Sequence, residues 1–407
     1  MDIYIARQPI LDRQKRLFAY EVLYRSSMDN FFPADMGSDE ATHTILAHVL
    51  FNIGLDTITG NQKALINFPQ NHLLQRTPTQ LPQKRCIIEI LESTLPSPEV
   101  FSACRELKEL GYTLALDDFD FNEQSEQLIP WVHIVKVDFQ AIDRDKLADN
   151  MARMQQYSGI AWLAEKIENH EEFQLALGLG FEYFQGFFFN KPEMLKNKTI
   201  DSSHIVLLNL LAEVCRPEID LKKIETLIAP DVSLTYKLLR YINSVFYSLV
   251  RKVTSVRHAL TYLGEYGARQ FVSLAATSEM SKGKPSELMR LSMVRAQLCQ
   301  LLGESGNNAI EASQLFLLGL FSLLDAMLDI PMAELTEKMP LTDEVKNALN
   351  ERKGPLAPYL QAVIAYERGE FQACAEHLKV LGIAPEAMIN GYFKALAWAD
   401  LFDPTLS

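Results

Sequence analysis

Two adjacent carboxylates, Asp117 and Asp118, close an apolar run in "ALDDFDFNEQSEQL" (115–128), an arrangement suited to holding a divalent cation. Similar placements recur along the first half of the chain. Glu21, Asn67, Glu89, Lys136 with Asp138, Glu165 and Gln185 each stand near the C-terminal end of a short β-rich run. Hard divalent ions prefer oxygen ligands, and Glu21, Asn67, Glu89, Asp117, Asp118 and Glu165 offer them. Lys136 adds a fixed positive charge able to orient a water or a phosphate. No histidine or cysteine lies among these ends, which favours Mg2+ or Mn2+ over zinc. Breaking a phosphodiester needs an activated water, charge neutralisation on the phosphate and stabilisation of the leaving oxygen, and a two-metal site supplies all three.

The elements that must position these groups follow from pattern. The runs are "LFAYEVL" (17–23), "KALINF" (63–68), "CIIEILE" (86–92), "YTLALDD" (112–118), "VHIVKVD" (132–138), "IAWLAEKI" (160–167) and "GFEYFQG" (180–186), with "DIYIARQPI" before them. Helical stretches lie between. In "SPEVFSACRELKELGY", Val100, Cys104, Leu107 and Leu110 keep helical spacing and Gly111 supplies a stop. About eight strands alternating with helices predict parallel strands joined by crossovers, an α/β barrel of the TIM type. In such a barrel the C-terminal strand ends converge on one rim, where sites are built.

The β signal fades after about residue 195. A polar stretch over 196–203 reads as a linker, and 204–407 predicts an all-α domain, with apolar residues three and four apart in "IVLLNLLAEV", "LTYKLLRYINSVF" and "ASQLFLLGLFSLLDAML". The 407 residues favour two domains, and 48% hydrophobic with 22% charged residues is ordinary globular composition. A net charge of -13 argues against nucleic acid as a partner. The five cysteines are scattered, odd in number and never spaced as CxxC, which suggests neither a disulfide framework nor a zinc site and fits a reducing cytoplasm. No run reaches roughly 18 apolar residues, so no membrane span is expected. His258 reads as a structural histidine bonded within the helical domain, and the aromatics of "FEYFQGFFFN" as core packing rather than a stacking platform.

Taken together, the motifs resemble the EAL family. "YEVLYR" is similar to its signature through Glu21, Val22 and Leu23, followed by Arg25. "INF", "EILES", "DDF", "KVD", "AEKIE" and "FQGFFFNKP" resemble the remaining motifs in order, with Leu91 where threonine is usual and Lys166 where glycine is usual. The resemblance covers residues 1 to about 195 and implies a barrel that hydrolyses cyclic di-GMP to linear pGpG with Mg2+ or Mn2+. It implies Glu21, Asn67, Glu89 and Asp117 as ligands of one metal, with Asp117 bridging to a second completed by Asp118 and Glu165. Lys136 would hold the attacking water with Gln185 nearby, Gln8, Arg25 and Asp138 would contact the nucleotide, and Glu92 would steady the loop after the paired aspartates. That loop carries Asp120 where glycine is usual, which predicts altered closure. EAL domains commonly dimerise through this region, so either a homodimer with an altered interface or a monomer is expected.

The helical half, "PDVSLTYKLLRYINSVFYSLVRKVTSVRHALTYLG" with "FLLGLFSLLDAML", resembles an HDOD domain, a relative of HD phosphohydrolases. Where enzymatic relatives carry a His-Asp pair this chain has Ser322 and Leu323, so the domain reads as non-catalytic, binding a protein partner. Two functions stay open: a metal-dependent cyclic di-GMP phosphodiesterase, or a catalytically silent cyclic di-GMP sensor or scaffold acting through the helical domain.

Overall fold

The computed structural model describes residues 4–25, 54–192, 202–216, 218–243, 252–306 and 310–400. The chain divides into two compact units, Met1–Lys191 with Ala365–Ala375, and Pro192–Ile364 with Glu376–Ser407. The grouping of Ala365–Ala375 with the first unit is not signalled by the sequence pattern.

The first unit is a closed eight-stranded barrel in sequential order: β1 (Tyr4–Asp12), β2 (Leu17–Arg25), β3 (Lys63–Phe68), β4 (Cys86–Ile90), β5 (Thr113–Leu116), β6 (Ile134–Asp138), β7 (Ala161–Glu165) and β8 (Tyr183–Gln185). One expectation is corrected. β1 runs antiparallel to both β2 and β8, while the other neighbours are parallel. The cause is local: Asp12 and Leu17 are joined by a tight turn too short for a crossover. The Asp12 carboxylate accepts from the Gln14 and Arg16 backbone N–H groups at 2.8 and 2.9 Å, and Lys15 turns the chain at φ 59°.

The helix Pro98–Glu109 shows how the sequence builds the outer layer. Ser97 caps it by accepting from the Val100 N–H, Pro98 opens it, and Val100, Ala103, Cys104 and Leu107 face the barrel. Leu110 is not part of that face; it closes the helix and is 47% exposed. Gly111 follows at φ 88°, the left-handed stop expected of it.

Inside the barrel an apolar layer is formed by Ile10, Ala19, Leu65, Ile87, Ala115, Ile134 and Leu163, with Tyr183 packed against it. This layer decides where the polar groups go. Side chains on a strand repeat with period two, so the residue two positions further along each parallel strand points to the same axis one layer higher. Those residues are Glu21, Asn67, Glu89, Asp117, Lys136, Glu165 and Gln185. On β1, which runs the other way, the matching residue is Gln8, two positions before Ile10.

The second unit is helical from Ser202–Val214 through Pro385–Asp400. Among the described residues, no helix is long and apolar enough to cross a membrane. His258 does not fit the expectation of a bonded structural histidine: its side chain is exposed, and its backbone N–H donates to Ser255 Oγ at the start of the helix Val256–Met280.

Candidate active site

Lys136 stands at the centre of the polar layer, fully buried. Its ammonium lies 2.7 Å from Glu165, 2.8 Å from Asp117 and 3.7 Å from Glu21, and pairs with Glu89. Neighbouring strands set this spacing: Asn67 lies beside Glu89 across β3 and β4, and Asp138 beside Glu165 across β6 and β7. Gln185 closes the ring, its Nε2 donating to Glu21 Oε2 at 2.5 Å and to Gln8 Oε1 at 2.9 Å. Gly186 makes that placement feasible. Its backbone, at φ 142°, passes so close to Ile167 that any side chain would overlap the Ile167 carbonyl.

Four carboxylates around one ammonium leave an excess of negative charge in a buried space. Burial pushes Glu89 well above the usual carboxylate range despite Lys136, and pushes Glu165 up to about 8. Burial by itself would lower the Lys136 ammonium, but Glu165, Glu21, Glu89 and Asp117 together raise it well above its ordinary value. Asp118, at the rim, is raised by burial and by the neighbouring Asp117 charge.

The donor set fits divalent cations. Asn67 Oδ1, Glu89 Oε2 and Gln185 Oε1 are buried oxygens with no hydrogen-bond partner, and a buried acceptor left so is costly. Carboxylate oxygens of Glu92, Asp117 and Asp118 also lie within 4.8 Å of one another. Oxygen ligands alone, in excess of local positive charge, are an environment suited to a hard divalent cation.

The comparisons bear on both units. Residues 40–192 match the EAL domain family and residues 201–370 the HDOD domain family. Over 397 residues, 97% of this chain and 92% of the relative, the sequence is 39% identical to cyclic di-GMP phosphodiesterase CdgJ of Vibrio cholerae serotype O1. The chain belongs to the EAL–HDOD family. It is also 33% identical over 410 residues to the Bacillus subtilis protein YuxH, covering 98% of each. The crystal structure of an EAL domain protein from Listeria monocytogenes is similar at 22% identity with a TM-score of 0.38, over 46% of this chain and 87% of that one.

Within this EAL–HDOD chain, the residues singled out from sequence are not all equally placed. Glu21, Asn67, Glu89, Asp117, Lys136, Glu165 and Gln185 share the central layer, and Asp118 sits beside Asp117 at φ 41°. Arg25 ends β2, but its side chain lies outside the described residues. The Asp138 carboxylate is engaged: it accepts from the Gln140 and Ala141 N–H groups and pairs with Lys166 at 2.5 Å. Lys166 occupies the usual glycine position at φ 55°, so its side chain brings a cation to the rim. Tyr24, not marked by any motif, donates its hydroxyl to the Asn67 carbonyl at 3.0 Å. Among the aromatics of β8 and the segment after it, Phe184, Phe188 and Phe189 are core, whereas Phe187 is half-buried.

The loop after Asp118 has its own order. The Asp120 carboxylate accepts from the Asn122 N–H at 3.2 Å, the Asn122 side-chain amide at 2.5 Å and Ser125 Oγ at 2.8 Å. Phe121 packs on Phe119 with ring centroids 4.8 Å apart, and its carbonyl accepts from Arg153 at 2.8 Å. The left-handed residues are Asp118 and Phe121 rather than Asp120, so the missing glycine imposes no strain at position 120. Asp120→Gly is therefore expected to destabilise the barrel, by about 1 kcal/mol for three exposed hydrogen bonds to a carboxylate. Faster amide hydrogen exchange over residues 119–127 is the readout; unchanged exchange would show that the Asp120 bonds do not hold the loop.

Proposed function

We propose that the EAL barrel hydrolyses cyclic di-GMP to linear pGpG with two divalent cations, Mg2+ or Mn2+, and that the HDOD unit is a non-catalytic domain binding a protein partner. The observation that carries this reading is the buried ring of Glu21, Glu89, Asp117 and Glu165 around Lys136, together with the buried, unpartnered oxygens of Asn67 and Glu89. The activity named for the Vibrio cholerae relative supports it.

Glu21, Asn67, Glu89 and Asp117 would hold one cation, and Asp117, Asp118 and Glu165 the other. When bound, the cations neutralise charge on the phosphate and ease ionisation of the attacking water. Lys136 then holds that water by donating a hydrogen bond, and Gln185 fixes the Glu21 carboxylate through its amide. Gln8, Arg25 and Asp138 orient the nucleotide, and Glu92 steadies the loop beside the paired aspartates. The absence of a His-Asp pair supports the reading of the HDOD unit. Ser322 donates to the Gly319 carbonyl at 2.7 Å and accepts from Arg295 at 3.2 Å, while Leu323 is buried.

The Lys166–Asp138 ion pair favours a second reading, a catalytically silent cyclic di-GMP sensor or scaffold, because it ties up a carboxylate that would orient the nucleotide for hydrolysis. Chromatography of full-length protein with cyclic di-GMP and Mg2+ or Mn2+, alongside calorimetric titration, separates the two. Appearance of pGpG supports the phosphodiesterase, calorimetric binding without product supports the sensor, and neither binding nor product leaves the scaffold.

Cation binding has a separate readout. A ligand at about 100 times its Kd stabilises the folded state by about 2.7 kcal/mol, which for a unit of this size is a rise in Tm of about 5–11 °C. Scanning calorimetry in EDTA and then in excess Mn2+ should show that rise in the barrel transition. A transition that does not move would contradict the assigned ligand set.

A further inference from the structure

Resting on the cyclic di-GMP reading above, we propose that Arg368 is a nucleotide-binding residue of the barrel, supplied from a segment far outside it in sequence. The segment Ala365–Ala375 belongs to the same compact unit as the barrel, and its turn at 367–370 meets three motif positions at the β1, β2 and β8 side of the rim. The Arg368 carbonyl accepts from Gln8 Nε2 at 3.2 Å. Gly369, at φ 71°, lies so close to the EAL-motif Leu23 that an added Cβ would come within 2.9 Å of its Cδ1. The Arg368 guanidinium lies over the Phe187 ring, 4.6 Å from its centroid.

These contacts place the turn by the catalytic layer. Gln8 bonds Gln185, and Gln185 bonds Glu21, so three hydrogen bonds separate the Arg368 main chain from a carboxylate at the centre of the site. Two buried aromatics anchor the turn: Phe371 packs on Tyr4 with centroids 6.0 Å apart and on Tyr366 at 5.4 Å. The guanidinium remains accessible. Its side chain is 43% exposed, and Glu370 approaches only to 3.8 Å. Phe187, half-buried amid otherwise core aromatics, is the platform that orients it.

The chemistry fits a cyclic dinucleotide. Such a ligand carries two phosphodiester charges and must enter a site rich in carboxylates, so a cation held at the rim offsets the repulsion. A planar guanidinium presents a fork of N–H donors that matches either two phosphate oxygens or the O6 and N7 atoms of guanine. Both are acceptor pairs, and the stack on Phe187 fixes the plane in which they are met.

The test is calorimetric titration of cyclic di-GMP into full-length wild type, Arg368→Ala and Arg368→Lys, in EDTA to prevent turnover and at several salt concentrations, with KM measured separately in Mn2+. Arg368→Ala is expected to raise Kd about tenfold, with KM rising in step, and Arg368→Lys, which keeps the charge and loses the fork, to fall between. A shallower dependence of log Kd on log salt in Arg368→Ala would assign the contact to phosphate; an unchanged slope with the same loss would assign it to guanine. A Kd within twofold of wild type, with normal thermal unfolding, overturns the inference while leaving a hydrolysing wild type consistent with the phosphodiesterase. If wild type neither binds nor hydrolyses cyclic di-GMP, both fall together.

Discussion

Glu21→Ala is expected to abolish pGpG formation, lowering kcat by at least about a thousandfold, equivalent to about 4 kcal/mol of lost transition-state stabilisation. The argument begins with position. Glu21 lies one layer above Ala19 on β2, is buried, and is held by Gln185 while facing Lys136. Alanine removes an oxygen that the proposed site assigns to the first cation, and a cation with an incomplete shell binds weakly and misplaces the phosphate. Stability should move differently. Glu21 is one of four carboxylates repelling one another around one lysine, so its loss in EDTA relieves repulsion, and Tm should hold or rise. The metal-dependent rise in Tm should shrink. Glu21→Gln, which keeps the shape and the contact with Gln185 but loses the charge, should remain close to inactive. Turnover within tenfold of wild type would remove Glu21 from the ligand set and with it the assignment of the first cation.

The sequence made much of this site legible because strands in a barrel obey a simple geometry. Period-two side chains and a shared rim turn a list of residues at strand ends into a ring, and the apolar layer from Ile10 to Leu163 explains why. Three features were not readable that way. The direction of β1 depends on the tight turn at Asp12 and Lys15, which competes with the crossover pattern the other strands suggest. The backbone of the loop after Asp118 is not legible from Asp120, because a residue type alone does not disclose its φ; the left-handed positions are Asp118 and Phe121. Arg368 could not be found from any local pattern. It lies 360 positions from Gln8, to which its carbonyl is bonded, and tertiary packing alone brings the two together.

Lys136 supplies the second large effect, because two roles meet in one side chain. As the ammonium among Glu21, Glu89, Asp117 and Glu165 it balances buried charge, and in the proposed reaction it would hold the attacking water as a donor beside the phosphate. Lys136→Met keeps the buried stem and removes the ammonium. In EDTA this leaves the carboxylates without their cation, a change that typically costs about 3–5 kcal/mol when one partner of a buried pair is removed. For a unit of this size that is a fall in Tm of about 6–20 °C. Mn2+ should raise the Tm of the variant more than that of wild type, because each bound cation replaces charge the lysine no longer provides. Activity should not return with stability: loss of the donor is expected to lower kcat by at least about a hundredfold even at saturating Mn2+. The two readouts separate the roles. Hydrolysis within tenfold of wild type in Mn2+ would reduce Lys136 to a charge balancer. An unchanged Tm in EDTA would mean that the carboxylates take up protons with little cost when the lysine is absent, and that the ammonium does not hold this pocket together.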